Sequence, residues 1–310
     1  MTRVLTRSDL EAVLEPTACL AALRDGFRTA GAAAVPGQRV RTDLPFPGTA
    51  TALIPGLLPG IDAYTVKVNA KFPGARPALR GVICLHSGTD GELLALLDSA
   101  TVTAWRTGLA AALGTALLAP ADHDVLGVVG AGAQAELTLR GLAAQRRPGR
   151  LVVHDTDSGR AAAFAARHGG QVLDSAEAVA EAADTVLLAT WSRTSLLALA
   201  NTRAGQHFTS LGTDEPGKRE LAPDLLDAAL LVVDDAELAL RMGALSAQGL
   251  ARTAATLTDV LRGTHPGRTS DRQRTVYAPV GLPWQDLALT WLAWREAERR
   301  GAGTTIDLLG

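Results

Sequence analysis

Three stretches of this chain carry residues able to do chemistry, and each interrupts an apolar element. The first is Gly130-Ala131-Gly132-Ala133-Gln134-Ala135, directly after the apolar run Val125–Val129. A first glycine permits a tight turn, a second lets a pyrophosphate approach the backbone, and a small third residue lets strand and helix pack closely. The helix that follows offers its free N–H groups to the phosphates. Asp155 ends the next apolar run, Leu151–His154. A carboxylate there accepts hydrogen bonds from a ribose diol and repels a 2′-phosphate, which favours NAD. Arg160 lies close by, so NADP is the alternative, and Asp157 competes with Asp155 for the ribose.

The second stretch is Leu211-Gly212-Thr213-Asp214-Glu215-Pro216-Gly217-Lys218-Arg219-Glu220-Leu221, which follows the apolar run Phe208–Leu211. Ligands of open α/β sheets bind at the carboxyl ends of strands, so Asp214 is expected near the nicotinamide. The third set is dispersed: Gln38-Arg39-Val40-Arg41, Val66-Lys67-Val68-Asn69 and Trp105-Arg106-Thr107. Lys67 stands inside an apolar strand and Arg106 on an alanine-rich helix, where a charge is costly unless paired. A substrate carboxylate would serve, and so would internal ion pairs with Asp62, Asp98 or Glu92. Only three of the 30 basic residues are lysines, Lys67, Lys71 and Lys218. Those positions are candidates for needing a compact ammonium, or one whose pKa can move.

These residues need a scaffold, and the hydropathy pattern supplies one. Ser8-Asp9-Leu10-Glu11 reads as a capping box, and Pro16 starts a second helix to about Phe27. Short β runs follow near 39–44, 51–54, 64–69, 82–86 and 93–97, the last two flanking a Ser87–Gly91 hairpin. An alanine-rich helix covers about 100–118, its small side chains permitting close packing, until Pro120. Beyond Asp124, strands 125–129, 151–154, 185–189, 208–211 and 230–233 alternate with helices, the pattern of a parallel sheet covered on both faces. A long helix spans 285–300, with Leu287, Trp291 and Trp294 along one side. The expected fold is α/β: a Rossmann-type doubly wound parallel sheet at 122–286, plus a mixed α+β substrate-binding and dimerisation domain from 1–121 and 287–310.

Composition narrows the function further. A hydrophobic fraction of 47% with 20% charged residues excludes a disordered chain. A net charge of −2 and 4% aromatics argue against a grip on nucleic acid or an anionic membrane. Cys19 and Cys84 are too few for a disulfide framework or a metal cluster and read as buried free thiols. No metal site is expected. The charged first residues lack a signal-peptide core, and the longest uncharged run, 107–121, is too short to span a bilayer. A soluble cytoplasmic protein is expected.

These motifs in this order resemble the ornithine cyclodeaminase/mu-crystallin family, which includes NAD-dependent alanine dehydrogenases and ketimine reductases. The resemblance runs from near Arg39 almost to the C-terminus. Its carriers are Lys67–Pro73, Leu96–Asp98, Trp105–Ala111, Val129–Ala135, Gly212–Leu221 and Val280-Gly281-Leu282-Pro283-Trp284-Gln285-Asp286. It implies that Arg39, Lys67 and Arg106 hold a substrate carboxylate, that Asp214 is the general acid/base, and that Lys67 shares in catalysis. It also implies that Arg106, Thr107, Gly130, Gly132, Ala133, Gln134 and Lys218 approach the cofactor, with Asp155 on the ribose, and that the protein is a homodimer. Two departures stand out. Ala52 replaces the glutamate with which cyclodeaminases orient the distal amine of ornithine, and Pro279 replaces a serine that many members carry.

The chemistry so implied follows from electron demand. Hydride leaves Cα of an amino acid when the nitrogen lone pair pushes it, so a base such as Asp214 must first take a proton from the ammonium. The leading expectation is NAD(P)-dependent oxidoreduction at the Cα–N bond of a small L-amino acid or its imine. Cyclodeamination of a diamino acid is the second, and a non-catalytic ligand binder the third, which retention of Asp214, Lys67 and Arg106 disfavours.

Overall fold

Alternating burial along short β segments builds the first sheet. The computed structural model describes residues 1–310 except 31–39, 47–48, 73–74, 76–77, 122–123, 146–148, 247–253 and 309. The chain begins with β1 (Thr2–Leu5), α1 (Arg7–Val13) and α2 (Pro16–Thr29). It continues through β2 (Val40–Asp43), β3 (Ala50–Gly56), β4 (Ala63–Lys71), β5 (Leu79–Ser87) and β6 (Leu93–Asp98) into α3 (Ser99–Leu118). α1 starts earlier than the capping box at Ser8 implied. Thr6, at the end of β1, is its N-cap, and Asp9 returns a bond to the Thr6 N–H at 2.9 Å. The short Asp side chain closes the box that Glu11 was expected to close; Glu11 instead accepts from the Trp105 indole N–H at 3.2 Å.

The second sheet follows a βαβ rhythm: β7 (Val125–Val129), α4 (Ala133–Ala143), β8 (Arg150–His154), α5 (Ser158–His168), β9 (Gln171–Val172), α6 (Ala176–Ala182) and β10 (Thr185–Leu188). Then come β11 (His207–Ser210), α7 (Pro223–Asp227), β12 (Leu230–Val233), α8 (Ala236–Met242), β13 (Ala255–Thr256), α9 (Leu257–Arg262) and β14 (Thr275–Tyr277). The chain ends with α10 (Pro283–Arg300) and β15 (Thr304–Ile306).

Two units result. One comprises Met1–Arg106 with Leu282–Gly310, the other Thr107–Gly281, so α3 crosses the boundary and α10 opens the return. The sequence reading instead kept all of α3 with the first unit and began the return at 287.

The first unit holds a seven-stranded sheet in the order β15-β1-β6-β5-β4-β3-β2, antiparallel except for β1 with β6. α10 packs on β3, β4, β5 and α2, and its first half from Trp284 to Thr290 is buried. The opposite face of that sheet carries a cross-strand apolar row. Val40, Leu53, Val68 and Val82 pair in register and are 54%, 45%, 37% and 42% exposed.

The second unit is an eight-stranded parallel sheet in the order β13-β12-β14-β11-β10-β7-β8-β9. The chain winds outward from β7 to β9, then returns to the other side of β7 with β10, which makes the switch point of a doubly wound fold. β14 lies between β11 and β12. Its three residues are too short a run for an alternation pattern to reveal. The C-terminal part of α3 packs on α4 closely enough that a Cβ on Gly108 would lie 2.5 Å from the Leu137 Cβ. That contact is what the alanine- and glycine-rich sequence of α3 permits.

Candidate active site

β7 is buried along its whole length and runs into Gly130, whose φ is +94°. A Cβ at Gly130 would lie 2.6 Å from the carbonyl oxygen of Ala189, just past β10, so both the conformation and the space require glycine. Gly132 caps α4 without a side-chain bond, and a Cβ there would meet nothing within 4 Å. The approach to this helix N-terminus is therefore open, while Ala135 is fully buried against the strand side. Gln134 has a buried Oε1 with no hydrogen-bond partner.

Asp155 is tied to the same turn. Its Oδ2 accepts from the Ala131 N–H at 2.8 Å and its Oδ1 from the Asp157 N–H at 2.8 Å. Asp157 caps α5 instead, accepting from the Arg160 N–H at 3.0 Å. The Arg160 guanidinium bridges the two acids, 3.3 Å from Asp155 and 3.2 Å from Asp157. An open helix N-terminus, a glycine turn and one carboxylate held beside it fit a dinucleotide.

The loops after β10 and β11 are fastened by Glu220, which is fully buried. Its Oε1 accepts from the N–H and hydroxyl of Thr190, both at 2.7 Å. Its Oε2 accepts from the Ser210 hydroxyl at 2.7 Å and the Gly212 N–H at 2.8 Å. Burial pushes the Glu220 carboxyl above its ordinary range, against the pull of these four donors. Asp214 follows Gly212 by two residues and is half exposed. Its Oδ1 accepts from the Lys218 ammonium at 2.7 Å. Lys218 is buried, also lies 3.5 Å from Glu215, and sits 4.7 Å from the ring centre of Trp191. The three groups hold the ammonium on one side of Asp214 and leave the rest of that carboxylate to solvent.

In the first unit, Lys67 and Arg106 converge on one carboxylate. Thr65, Lys67 and Asn69 alternate onto the covered face of β4, and all three are buried. Lys67 is flanked in register by Ile54 and Ile83, both buried. Its ammonium pairs with Asp286 Oδ2 in the first turn of α10, and Arg106 Nε lies 3.4 Å from Asp286 Oδ1. The Lys67, Arg106 and Asp286 side chains are 2%, 9% and 3% exposed. Arg106 Nε and Asp286 Oδ1 nonetheless lack a hydrogen bond of good geometry, and so do Thr65 Oγ1, Asn69 Oδ1 and Gln285 Nε2.

The anion for these cations is therefore not one of the acids expected from the sequence. Asp98 accepts from the Thr101 N–H at 3.0 Å, and Glu92 pairs with the Met1 amino group at 2.9 Å. Asp286 lies 219 residues from Lys67, in a segment whose motif was visible but whose role was not. An acid in a first helical turn ordinarily complements the helix dipole, which hid it. Its one signal was a charge inside the run Trp284–Thr290.

The structure thus gathers Lys67 with Arg106, Asp214 with Lys218, and Gly130, Gly132, Ala133 and Gln134 with Asp155. Thr107, half-buried, opens the second unit's share of α3. Arg39 lies outside the described residues. Cys19 is buried as expected, but Cys84 is only half-buried, because it faces the open side of the first sheet. Among the described residues no group of three or more metal-ligating side chains is placed to hold a metal ion, and no helix is long and apolar enough to cross a membrane.

Comparison with known proteins adds the decisive observation: residues 1–300 match the sequence pattern of the ornithine cyclodeaminase/mu-crystallin family. The chain belongs to that family. An alanine dehydrogenase of Archaeoglobus fulgidus is 28% identical to this family member over 98% of both chains. Among solved structures, the Δ1-pyrroline-2-carboxylate reductase of Thermococcus litoralis, in complex with NADH and L-proline, superposes with a TM-score of 0.92. It is 25% identical and covers 98% of this chain and 100% of its own. An archaeal alanine dehydrogenase dimer with bound NAD superposes with a TM-score of 0.88, at 25% identity over 99% of both chains.

Proposed function

We propose that this protein is an NAD(P)-dependent oxidoreductase acting at the Cα–N bond of a small L-amino acid or its imine. The observation that carries this reading is the buried cluster in which two cations, Lys67 and Arg106, share the single carboxylate of Asp286. Among the described residues this cluster sets two cations against one acid, and a substrate carboxylate would balance it. The family relatives named above, which oxidise or reduce at such a bond, support the same reading.

In this reading the second unit, Thr107–Gly281, is the dinucleotide domain that the sequence drew as 122–286, and the first unit, Met1–Arg106 with Leu282–Gly310, is the substrate and dimerisation domain drawn as 1–121 with 287–310. Gly130, Gly132, Ala133 and Gln134 receive the cofactor phosphates and Asp155 the ribose, with Arg106, Thr107 and Lys218 as further cofactor contacts. A bound nicotinamide supplies hydride exchange at Cα. Lys67 and Arg106, with Arg39, hold the substrate carboxylate, which turns a chance encounter into a fixed geometry. Asp214 takes the proton from the substrate ammonium, directly or through water, and returns it in the reductive direction. Lys218, 2.7 Å from its Oδ1, orients Asp214 for that step. NAD is favoured by Asp155. Arg160 gives NADP a second foothold, because the guanidinium that bridges Asp155 and Asp157 can turn to a 2′-phosphate.

The working form is a homodimer in a cytoplasmic setting. Supporting the dimer is the exposed row Val40, Leu53, Val68 and Val82, an apolar sheet face of the kind that soluble chains cover with a partner.

The test is absorbance in the reduced-nicotinamide band with a panel of L-amino acids and cyclic imines. Net formation of NADH from amino acids, or its loss with imines, is the expected result. Ammonia release from a diamino acid without net cofactor change would make the protein a cyclodeaminase. Silence across the panel with NAD still bound would make it a binder.

A further inference from the structure

The geometry points to Asp286 as the positioning residue of the substrate cradle: it pairs with the Lys67 ammonium and draws Arg106 alongside, so that both can face a carboxylate. This rests on the reading of Lys67 and Arg106 as substrate ligands and goes beyond it, since it names the carboxylate on which both cations lean.

Lys67 projects from a strand between two buried isoleucines, Ile54 and Ile83, and its side chain is 2% exposed. A lone ammonium in such surroundings sheds its proton, because burial penalises the charged form. Among the described residues, the charged groups meeting there are Lys67 from β4, Arg106 from α3 and Asp286 from α10. β3 and β5 contribute the apolar Ile54 and Ile83. Asp286 is thus the counter-ion that the described elements bring to this site.

Its two oxygens are used differently. Oδ2 takes the Lys67 ammonium, while Oδ1 faces Arg106 Nε at 3.4 Å without completing a hydrogen bond. The pairing with Lys67 is made, and that with Arg106 is left loose. Arg106 is attracted to its place but its Nε–H completes no hydrogen bond. Helix α10 supplies Asp286 from its first turn and is anchored there by packing: the ring of Trp284, in the same turn, would lie 2.2 Å from a Cβ on Gly26, and Phe27 meets that ring edge-on at 4.9 Å. The carboxylate is therefore held on a rigid element, as a positioning group must be.

Removing Asp286 has two opposed consequences, and burial decides between them. With both cations still charged, the cradle would attract a carboxylate more strongly. With Lys67 neutral, it loses a ligand. Because the Lys67 side chain is almost wholly enclosed, loss of the proton wins at neutral and alkaline pH.

The experiment uses the full-length protein with 13Cε-labelled lysine. Three lysines give three resonances, and Lys67→Arg identifies one of them. In Asp286→Asn the Lys67 titration is expected at lower pH than in the parent, while Lys71 and Lys218 stay put as internal controls. KM for the best amino acid of the panel rises about ten-fold or more. The defect shrinks as pH is lowered and Lys67 regains its proton, and KM for NAD does not change. Asp286→Glu keeps the Lys67 titration and raises KM by a smaller factor. An unmoved Lys67 titration in Asp286→Asn, or a KM defect independent of pH, would overturn the proposal.

Should Asp286→Asn fail to fold, Asp286→Glu decides: a raised KM with parent-like melting supports the role, and a parent-like KM overturns it. If the parent turns over no amino acid or imine, the functional reading falls. Pyruvate as a simple carboxylate probe then tests the cradle separately, by moving the Lys67 resonance in the parent and not in Asp286→Asn. A parent resonance that ignores pyruvate counts against the cradle itself.

Discussion

The two units bury charge in opposite ways. In the second unit the enclosed acids are closed accounts of hydrogen bonding. Glu220 accepts from four donors, and Asp234 accepts from the N–H groups of Asp235, Val280 and Gly281 at 3.0, 3.0 and 2.6 Å. In the first unit, two cations lean on one acid, and polar atoms of β4, α3 and α10 are left without partners. A buried charge with all its bonds made fastens loops. A buried charge with a bond left over needs an explanation, and the substrate carboxylate proposed above is one.

The largest effect expected from this contrast belongs to neither buried set but to the exposed acid between them in sequence. Asp214→Asn should lower turnover by about 10²–10⁴-fold, the usual worth of a general acid/base, with NAD affinity unchanged by titration calorimetry. Near-normal turnover would remove Asp214 from the mechanism. Next comes the closed carboxyl. Glu220→Ala leaves four donors unpaired and should cost about 2–4 kcal/mol of stability in denaturant unfolding. A parent-like midpoint would break the distinction between fastening and binding charges.

Asp155→Ala should shift the NADP-to-NAD preference about ten-fold toward NADP, because the 2′-phosphate is no longer repelled while Arg160 remains. An unmoved ratio of kcat/KM values would show that Asp155 serves the glycine turn alone. A substitution on the open sheet face, Val68→Asp, should yield monomers in sedimentation without loss of the first unit's fold. Cys84 reports on the same face. It pairs in register with Val66 and Leu96, beside the exposed row, so thiol reagents should reach it faster in the monomeric variant. Cys19, whose thiol is pushed up to about 12 by burial, should stay unreactive in both. Equal Cys84 rates in parent and variant would count against a dimer through this face.

The smallest effect is a slope. Burial pushes Glu220 and Asp234 above the ordinary carboxylate range, so the folded chain binds these protons more tightly than the unfolded one. Stability therefore falls as pH rises from the ordinary carboxylate range through the folded values, and Glu220→Gln should flatten that fall. A slope unchanged in the variant would assign it to other groups.

Much of this was legible in the residues. A short apolar run marked β4, including the lysine set inside it, and the glycine spacing marked the turn after β7. The Ala-rich run of α3 announced both its close packing and the oddity of Arg106. What escaped notice depended on chain return. Asp286 is remote from Lys67 in sequence and wears the ordinary dress of a first-turn acid. β14 is three residues long, and its place between β11 and β12 follows from sheet order, not from its own pattern. The α1 cap was misplaced by two residues, because Thr6–Asp9 and Ser8–Glu11 satisfy the same spacing rule and only the end of β1 chooses between them.

The central claim is that hydrogen leaves or joins carbon beside nitrogen on a substrate held by its carboxylate. A single turnover with the panel's best amino acid deuterated at Cα, followed by mass analysis of the nicotinamide, tests it most directly. Deuterium recovered in the reduced ring is the predicted result. Deuterium retained at Cα, or lost to water with the ring unlabelled, would contradict it.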